Sequence, residues 1–126
     1  MKKVYITTPI FYVNDLPHIG HAYTTIICDT LAKYFKYKKF NVLFTTGTDE
    51  HGLKVEKAAN LKKKDPKSFV DDVSKNFKEL GIKLNISNSD FIRTTEERHK
   101  KSAIAFWKKL QENDHIYLSD YKGWYS

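Results

Sequence analysis

Cysteine is almost missing from these 126 residues, with Cys28 standing alone. One thiol closes no internal disulfide and leaves no cysteine-rich metal pattern. That scarcity fits a reducing compartment, so a cytoplasmic location is expected. Long apolar runs are missing as well. Nothing approaches the ~18 to 20 residues that cross a bilayer, and no membrane partner is expected. Met1-Lys2-Lys3 before Val4 to Ile6 has the basic head of a signal peptide, but Thr7, Thr8, Pro9, Asn14 and Asp15 break the apolar stretch. No small-residue cleavage site follows. Arginine is scarce too: only Arg93 and Arg98 occur, so the net charge of +7 rests on lysine. Such a charge suits a polyanionic partner, because basic fields raise encounter rates with nucleic acid. It suits a lysine-favouring genome equally well, and identifies nothing alone.

What remains is ordinary for one compact globular domain, with 40% apolar and 29% charged residues. Strand and helix signals alternate along it. Lys3 to Thr8 alternates and is β-branched, which predicts a strand ending at Pro9. Phe11 to Pro17, with Asn14-Asp15 and Pro17, predicts a loop. From Ile19, helical spacing of Tyr23, Ile26 or Ile27, Leu31, and Tyr34 or Phe35 predicts a helix to about Lys38. Asn41 to Thr46 is expected as a second buried strand, Gly47 to Gly52 as a loop, and a helix through Asn60.

Asp65-Pro66 marks the next helix start, with a capping acceptor and then proline at the first position. Its buried stripe is expected from Phe69, Val73, Phe77 and Leu80, and Gly81 is the expected stop. Asp90 to Arg93 reads as a short strand. Thr94 or Thr95 is expected to cap a last helix whose apolar face is Ala103, Ile104, Trp107 and Leu110. His115 to Ser126 is aromatic and β-like. The alternation predicts an α/β fold with a parallel sheet, flanking helices and right-handed crossovers.

The chemistry concentrates where the first strand gives way to the first helix. His18-Ile19-Gly20-His21 opens that helix, where unpaired N–H groups and the dipole attract phosphate. Histidines at i and i+3 share one side of a turn. Gly20 removes a side chain where a nucleotide must approach. Two imidazoles there suit the charge that develops on a phosphate under attack. The bland alternative is a pair of incidental surface histidines beside a turn.

The His-Ile-Gly-His element resembles the signature of class I aminoacyl-tRNA synthetases, and its His-x-Gly-His form is shared with related nucleotidylyltransferases. The longer string Thr7-Thr8-Pro9-Ile10-Phe11-Tyr12-Val13-Asn14-Asp15-Leu16-Pro17-His18-Ile19-Gly20-His21 is similar to the methionyl group of that class. So are Thr46-Gly47-Thr48-Asp49-Glu50-His51-Gly52 and Asp90-Phe91-Ile92-Arg93-Thr94-Thr95-Glu96-Glu97-Arg98-His99. These three matches, in order, cover nearly the whole chain.

The resemblance implies a Rossmann-type catalytic domain, with residues 1–114 as its first half and 115–126 as the start of an inserted connective domain. It implies activation of methionine with ATP, as its Mg2+ complex, to methionyl-adenylate, and transfer to the 3′ end of tRNA(Met). By carry-over, His18 and His21 are catalytic, and Asn14, His18, Gly20 and His21 bind ATP. Pro9, Ile10, Tyr12 and Asp49 bind L-methionine, with Asp49 pairing the α-ammonium, a buried cation that needs a charged acceptor. Many relatives carry a zinc-ligating cysteine after the tyrosine of the tail. Here the position is Ser126, so zinc is not expected and no metal ligand is assigned. The class's lysine-rich loop and anticodon-binding helices do not occur, which implies a fragment inactive alone.

Several residues keep a second reading. Asp49 serves as well as a loop carboxylate in an Asx turn, and Tyr12 as core. His51 is either support for the site or a capping residue. Cys28, among Ile26, Ile27 and Leu31, reads as a small core residue. Lys62-Lys63-Lys64, and Lys100, Lys101, Lys108 and Lys109, read as solvated faces before tRNA contacts. Two rival functions stand beside the synthetase: a small nucleotidylyltransferase, which has no use for the Asp49 element, and a non-catalytic module that binds tRNA or protein. Oligomeric state is not legible.

Overall fold

Strand pairing in this chain is organised around one long strand. The computed structural model describes residues 2–120, 122 and 123. Its elements are β1 (Lys3–Thr7), β2 (Phe11–Tyr12), α1 (Ile19–Tyr37), β3 (Asn41–Asp49), α2 (Leu53–Leu61), α3 (Pro66–Lys83), β4 (Asp90–Arg93) and α4 (Glu97–Glu112). β3 pairs in parallel with β1, β2 and β4, giving a four-stranded sheet. β1 meets β3 at Asn41 to Thr45, and β2 meets it at Thr48 and Asp49. β4 pairs with Thr45 to Thr48, overlapping both, so β1 and β2 follow one another along one edge of β3 and β4 holds the other. Parallel pairing with helical connections matches the expected α/β class.

The chain divides into two compact units, Met1–Glu96 and Glu97–Ser126. In the first, the core lies where Phe11 and Val13 meet α2 and α3, through Val55, Ala59, Phe69, Val70, Val73 and Phe77. Asp65 caps α3 by accepting from the Ser68 N–H at 3.0 Å, with Pro66 at the first position, as the sequence predicts. Gly81 does not end α3. The helix runs on to Lys83, and Asn85 takes the left-handed φ of +51° just beyond it, a stop that asparagine tolerates.

α1 departs further from expectation. Its buried face is Ala22, Thr25, Asp29 and Ala32, whereas Ile19, Tyr23, Ile26, Ile27, Leu31 and Tyr34 are between 42% and 84% exposed. Small residues let the helix approach the sheet, and buried Asp29 accepts from the N–H and hydroxyl of Ser87 at 2.7 Å while pairing with Lys33. Cys28 is half-buried and not among the core residues, its thiol 3.8 Å from the Thr7 carbonyl, and burial pushes that thiol's pKa up.

The second strand was expected to end at Thr46, but β3 continues through Gly47 and Thr48 to Asp49. Gly47 marks a close approach, not a turn: a Cβ there would lie 2.0 Å from the Ile92 carbonyl oxygen of β4.

In the second unit, α4 spans Glu97–Glu112 and buries none of its residues, so the face of Ile104 and Trp107 is exposed. α4 begins two residues beyond Thr95, whose hydroxyl donates to the Glu50 carboxylate, while the Thr94 hydroxyl accepts from the Glu50 N–H. Residues 115–120 form no strand. A β-like segment needs a neighbouring strand to complete its hydrogen bonds, and Tyr117 and Leu118 stand in solvent. The zinc expectation at Ser126 lies outside the described residues.

Candidate active site

Between the pairs Thr7↔Thr45 and Phe11↔Thr48, the first chain has three residues, Thr8 to Ile10, opposite only Thr46 and Gly47. That is a bulge of one residue, centred on Pro9, which has no N–H to give the ladder. It is anchored by the Thr8 N–H on the Thr45 carbonyl at 3.2 Å and by the buried Thr8–Thr46 hydroxyl pair at 2.7 Å. The bulge restarts pairing with a shifted register. Phe11 and Thr48 then turn inward together, while Tyr12 and Asp49, paired across the ladder, share the opposite face.

Residues 11 and 12 were expected within a loop, and the structure makes them β2. Tyr12 is 48% exposed and so is not core. Asp49 is the last residue of β3 instead of a loop carboxylate. Gly52, at the N-cap of α2, needs its φ of +106°, and the Tyr12 hydroxyl lies 3.7 Å from where its Cβ would be.

The two histidines build the start of α1 as well as sitting on it. The His18 N–H donates to His21 Nδ1 at 3.1 Å, and the Gly20 N–H donates to His18 Nδ1 at 3.1 Å. This is a reciprocal capping box made from imidazoles. A neutral imidazole that accepts at Nδ1 carries its proton on Nε2. Each ring therefore offers an Nε2–H donor, at a helix end whose first turn has no acidic residue.

The rings lie 3.9 Å apart by centroid, and His21 packs edge-on to Phe11 at 4.9 Å and Phe77 at 5.1 Å. Burial, and then the neighbouring His18, hold the His21 pKa below its ordinary value. Its neutral, donating form is thereby favoured near neutral pH. The His18 ring also occupies the space beside Gly20, where a Cβ would come within 3.0 Å of Cε1. Glycine here makes room for His18 itself.

The expected site residues are not all in one hollow. A cavity of about 190 Å³ among α1, α3 and the sheet, lined by Phe11, Thr46, Phe77 and Phe91, takes in none of them. Asn14 borders a separate depression with Leu16, Leu61 and Lys62. Pro9 and Ile10 are exposed on the bulge. Among the described residues, no three His, Cys, Asp or Glu side chains gather as a metal site. Among these described residues, no helix is long and apolar enough to cross a membrane.

One cluster escaped the sequence reading. Glu50, 4% exposed, accepts from Arg93 Nε at 2.6 Å and Nη2 at 2.9 Å, from the Thr48 hydroxyl at 2.8 Å and from the Thr95 hydroxyl. Arg93 also reaches Asp71 on α3. Burial pushes the Glu50 pKa up, but hydrogen bonds from Arg93, Thr95 and Thr48 outweigh it and hold it below the ordinary value. Glu50 and Asp71 hold the Arg93 guanidinium well above its own. A clue was present: in a chain built on lysine, an arginine on a strand marks a place where the planar fork matters. His51 is exposed, with Nε2 3.4 Å from the Thr94 carbonyl, and does not cap α2.

The chain is 57% identical to a methionine–tRNA ligase of Rickettsia conorii over 122 residues, 97% of this chain and 24% of that protein. It is 52% identical to a methionine–tRNA ligase of Thermotoga maritima over 98% of this chain and 20% of that one. Among solved structures, Mycobacterium tuberculosis methionyl-tRNA synthetase in complex with methionyl-adenylate superposes with a TM-score of 0.94 at 41% identity. That match covers all of this chain and 25% of the other. The chain thus spans about a quarter of the length of the curated relatives it matches. The profile of the family described as tRNA synthetases class I (M) matches residues 4–126, and the chain belongs to that family.

Proposed function

We propose that this chain carries the first half of the catalytic domain of a methionine–tRNA ligase, which forms methionyl-adenylate from methionine and ATP and transfers the methionyl group to tRNA(Met). The observation that carries the reading is the imidazole capping box: two Nε2–H donors at a helix N-terminus, beside strand ends that hold Tyr12 and Asp49 on one face. The methionine carboxylate attacks the α-phosphorus in line and pyrophosphate leaves. The tRNA 3′-terminal hydroxyl then attacks the carbonyl carbon of the adenylate and AMP departs.

In this reading His18 and His21 donate to phosphate oxygens as charge builds in the transition state, where such donors count most. Gly20, beside the His18 ring, and Asn14 contact the nucleotide. Asp49 pairs with the α-ammonium, Tyr12 packs on the substrate side chain, and Pro9 and Ile10 line the approach. Mg2+ enters with the ATP phosphates. The functional boundary falls between residues 114 and 115, after α4 ends, and the segment from 115 opens an inserted domain without zinc, since Ser126 has no thiolate to offer. The protein works in the cytoplasm.

The test is methionine-dependent pyrophosphate exchange in the full-length polypeptide that carries these residues. His21→Ala is expected to slow exchange about 100-fold, the scale of one lost transition-state donor, with methionine affinity nearly unchanged. A rate within about threefold of the parent would remove His21 from the mechanism.

A further inference from the structure

Asp49 ends β3, and among the described residues no hydrogen bond or ion pair engages its carboxylate. Its side chain is not held by partners of its own, so its aim depends on the backbone either side. Before it, the β3 ladder fixes Thr48 and Asp49 against β2, and the Val13 N–H reaches the Asp49 carbonyl at 3.4 Å. After it, the next residue is clamped twice. The Glu50 N–H donates to the Thr94 hydroxyl at 2.9 Å, and the Glu50 carboxylate takes Arg93, Thr48 and Thr95.

Alternation along a strand sends Thr48 and Glu50 inward and Asp49 to the opposite face. The side chain of Glu50 is fully buried and saturated, so it has no capacity left for a ligand. Arg93 pairs with Glu50 through Nε and Nη2 and with Asp71 through Nη2. The clamp ties the end of β3 to β4 and α3, and what it fixes is the direction of the one unpartnered carboxylate between.

We propose that Glu50, held by Arg93, is a positioning residue that aims Asp49 at the α-ammonium of the amino-acid substrate. This rests on the assignment of Asp49 as the ammonium partner. Small misplacements of a binding group cost large factors in rate, so an effect through Asp49 is measurable while folding survives.

Pyrophosphate exchange by the full-length polypeptide tests it, with melting temperature recorded for each variant. Glu50→Gln keeps the shape but removes the charge that holds Arg93. It is expected to raise KM for methionine about tenfold and leave KM for ATP within about threefold, the pattern of a lost positioning contact. In an Asp49→Asn background, Glu50→Gln is expected to add almost nothing, because its effect runs through the missing carboxylate.

Thr95→Val removes a single hydrogen bond to Glu50 and gives a smaller shift in the same direction, which decides the matter if Glu50→Gln does not fold. Equal losses for both substrates, additive losses in the double variant, or a folded variant with unchanged KM for methionine would each overturn the proposal. Asp49→Asn with unchanged KM for methionine would instead overturn the ammonium assignment on which it rests.

Discussion

Replacing Gly47 by alanine is a small chemical change with a large expected consequence. The new Cβ would lie 2.0 Å from the Ile92 carbonyl oxygen, 2.9 Å from its carbon and 3.1 Å from its nitrogen. Ordinary carbon–oxygen contact begins at about 3.3 Å, so β4 must retreat by roughly 1.3 Å. A ladder bond near 2.9 Å does not survive that stretch. Losing two or three such bonds costs about 1 kcal/mol each, and drawing Arg93 away from buried Glu50 adds further loss.

The expected destabilisation is about 4 kcal/mol, a large part of the ~5 to 15 kcal/mol that holds a domain together. Urea unfolding followed by far-ultraviolet circular dichroism measures it. Gly81→Ala is the control, because a Cβ there meets nothing within 4 Å and the site is inside α3. It is expected to stabilise by about 0.5 to 1 kcal/mol, the helix preference for alanine. The same substitution then acts with opposite sign at two glycines. A Gly47→Ala loss below about 1 kcal/mol would refute the close-approach argument.

Acid should weaken the fold through Glu50. Its folded-state pKa is below the ordinary 4.5, so the unfolded chain takes up the proton first. This stability is fully present above about pH 4.5 and is lost as pH falls through the folded value; urea midpoints from pH 6 down to 3 should show a shallower decline in Glu50→Gln, and an unchanged slope would refute it. Asp29 and Asp71, also held below their ordinary values, keep some decline in the variant. Gly20→Ala should push the His18 ring off the helix start and slow pyrophosphate exchange by about 10- to 100-fold while costing the fold only about 1 kcal/mol, as a lost cap does; exchange at the parental rate would refute the idea that Gly20 serves His18. Residues 1–126 alone should form no methionyl-adenylate at saturating ATP and methionine, because a doubly wound site draws loops from both halves of its sheet; labelled adenylate trapped on the purified chain would overturn this and favour a small nucleotidylyltransferase.

Legibility in the sequence followed the range of the interactions involved. α3 obeys local rules, and a capping aspartate, proline and helical spacing placed its start at Pro66 and its buried stripe, though not its end. α1 was legible as a helix but not in its orientation. Its larger apolar residues draw the eye, yet the side that packs is set by which residues are small enough to approach the sheet, and Ala22 and Ala32 win over Ile26 and Leu31. Gly47 misled for a similar reason. Glycine signals a turn when only the neighbouring residues are considered, and a close approach when a strand 45 positions later comes to lie beside it.

The site shows the same divide more sharply. His18 and His21 were legible because their chemistry is local: three residues apart, they cap one helix and donate from one end of it. Tyr12 and Asp49 were legible only through resemblance, since nothing local says that a one-residue bulge at Pro9 will set them side by side. Glu50 and Arg93 were not legible in either way, because their pairing needs β4 to lie against β3. On the proposed reading, the motifs name the groups that meet the substrate, while the residues that hold Glu50 are spread over β3, β4 and α3. If Glu50 aims Asp49 as proposed, sequence similarity confined to the motif would miss a change at Arg93 or Asp71 that loosens Asp49 without touching it. The same geometry explains why Thr46 to Gly52 and Asp90 to Thr95, separate as strings, act as one structural unit: the second is the brace for the first.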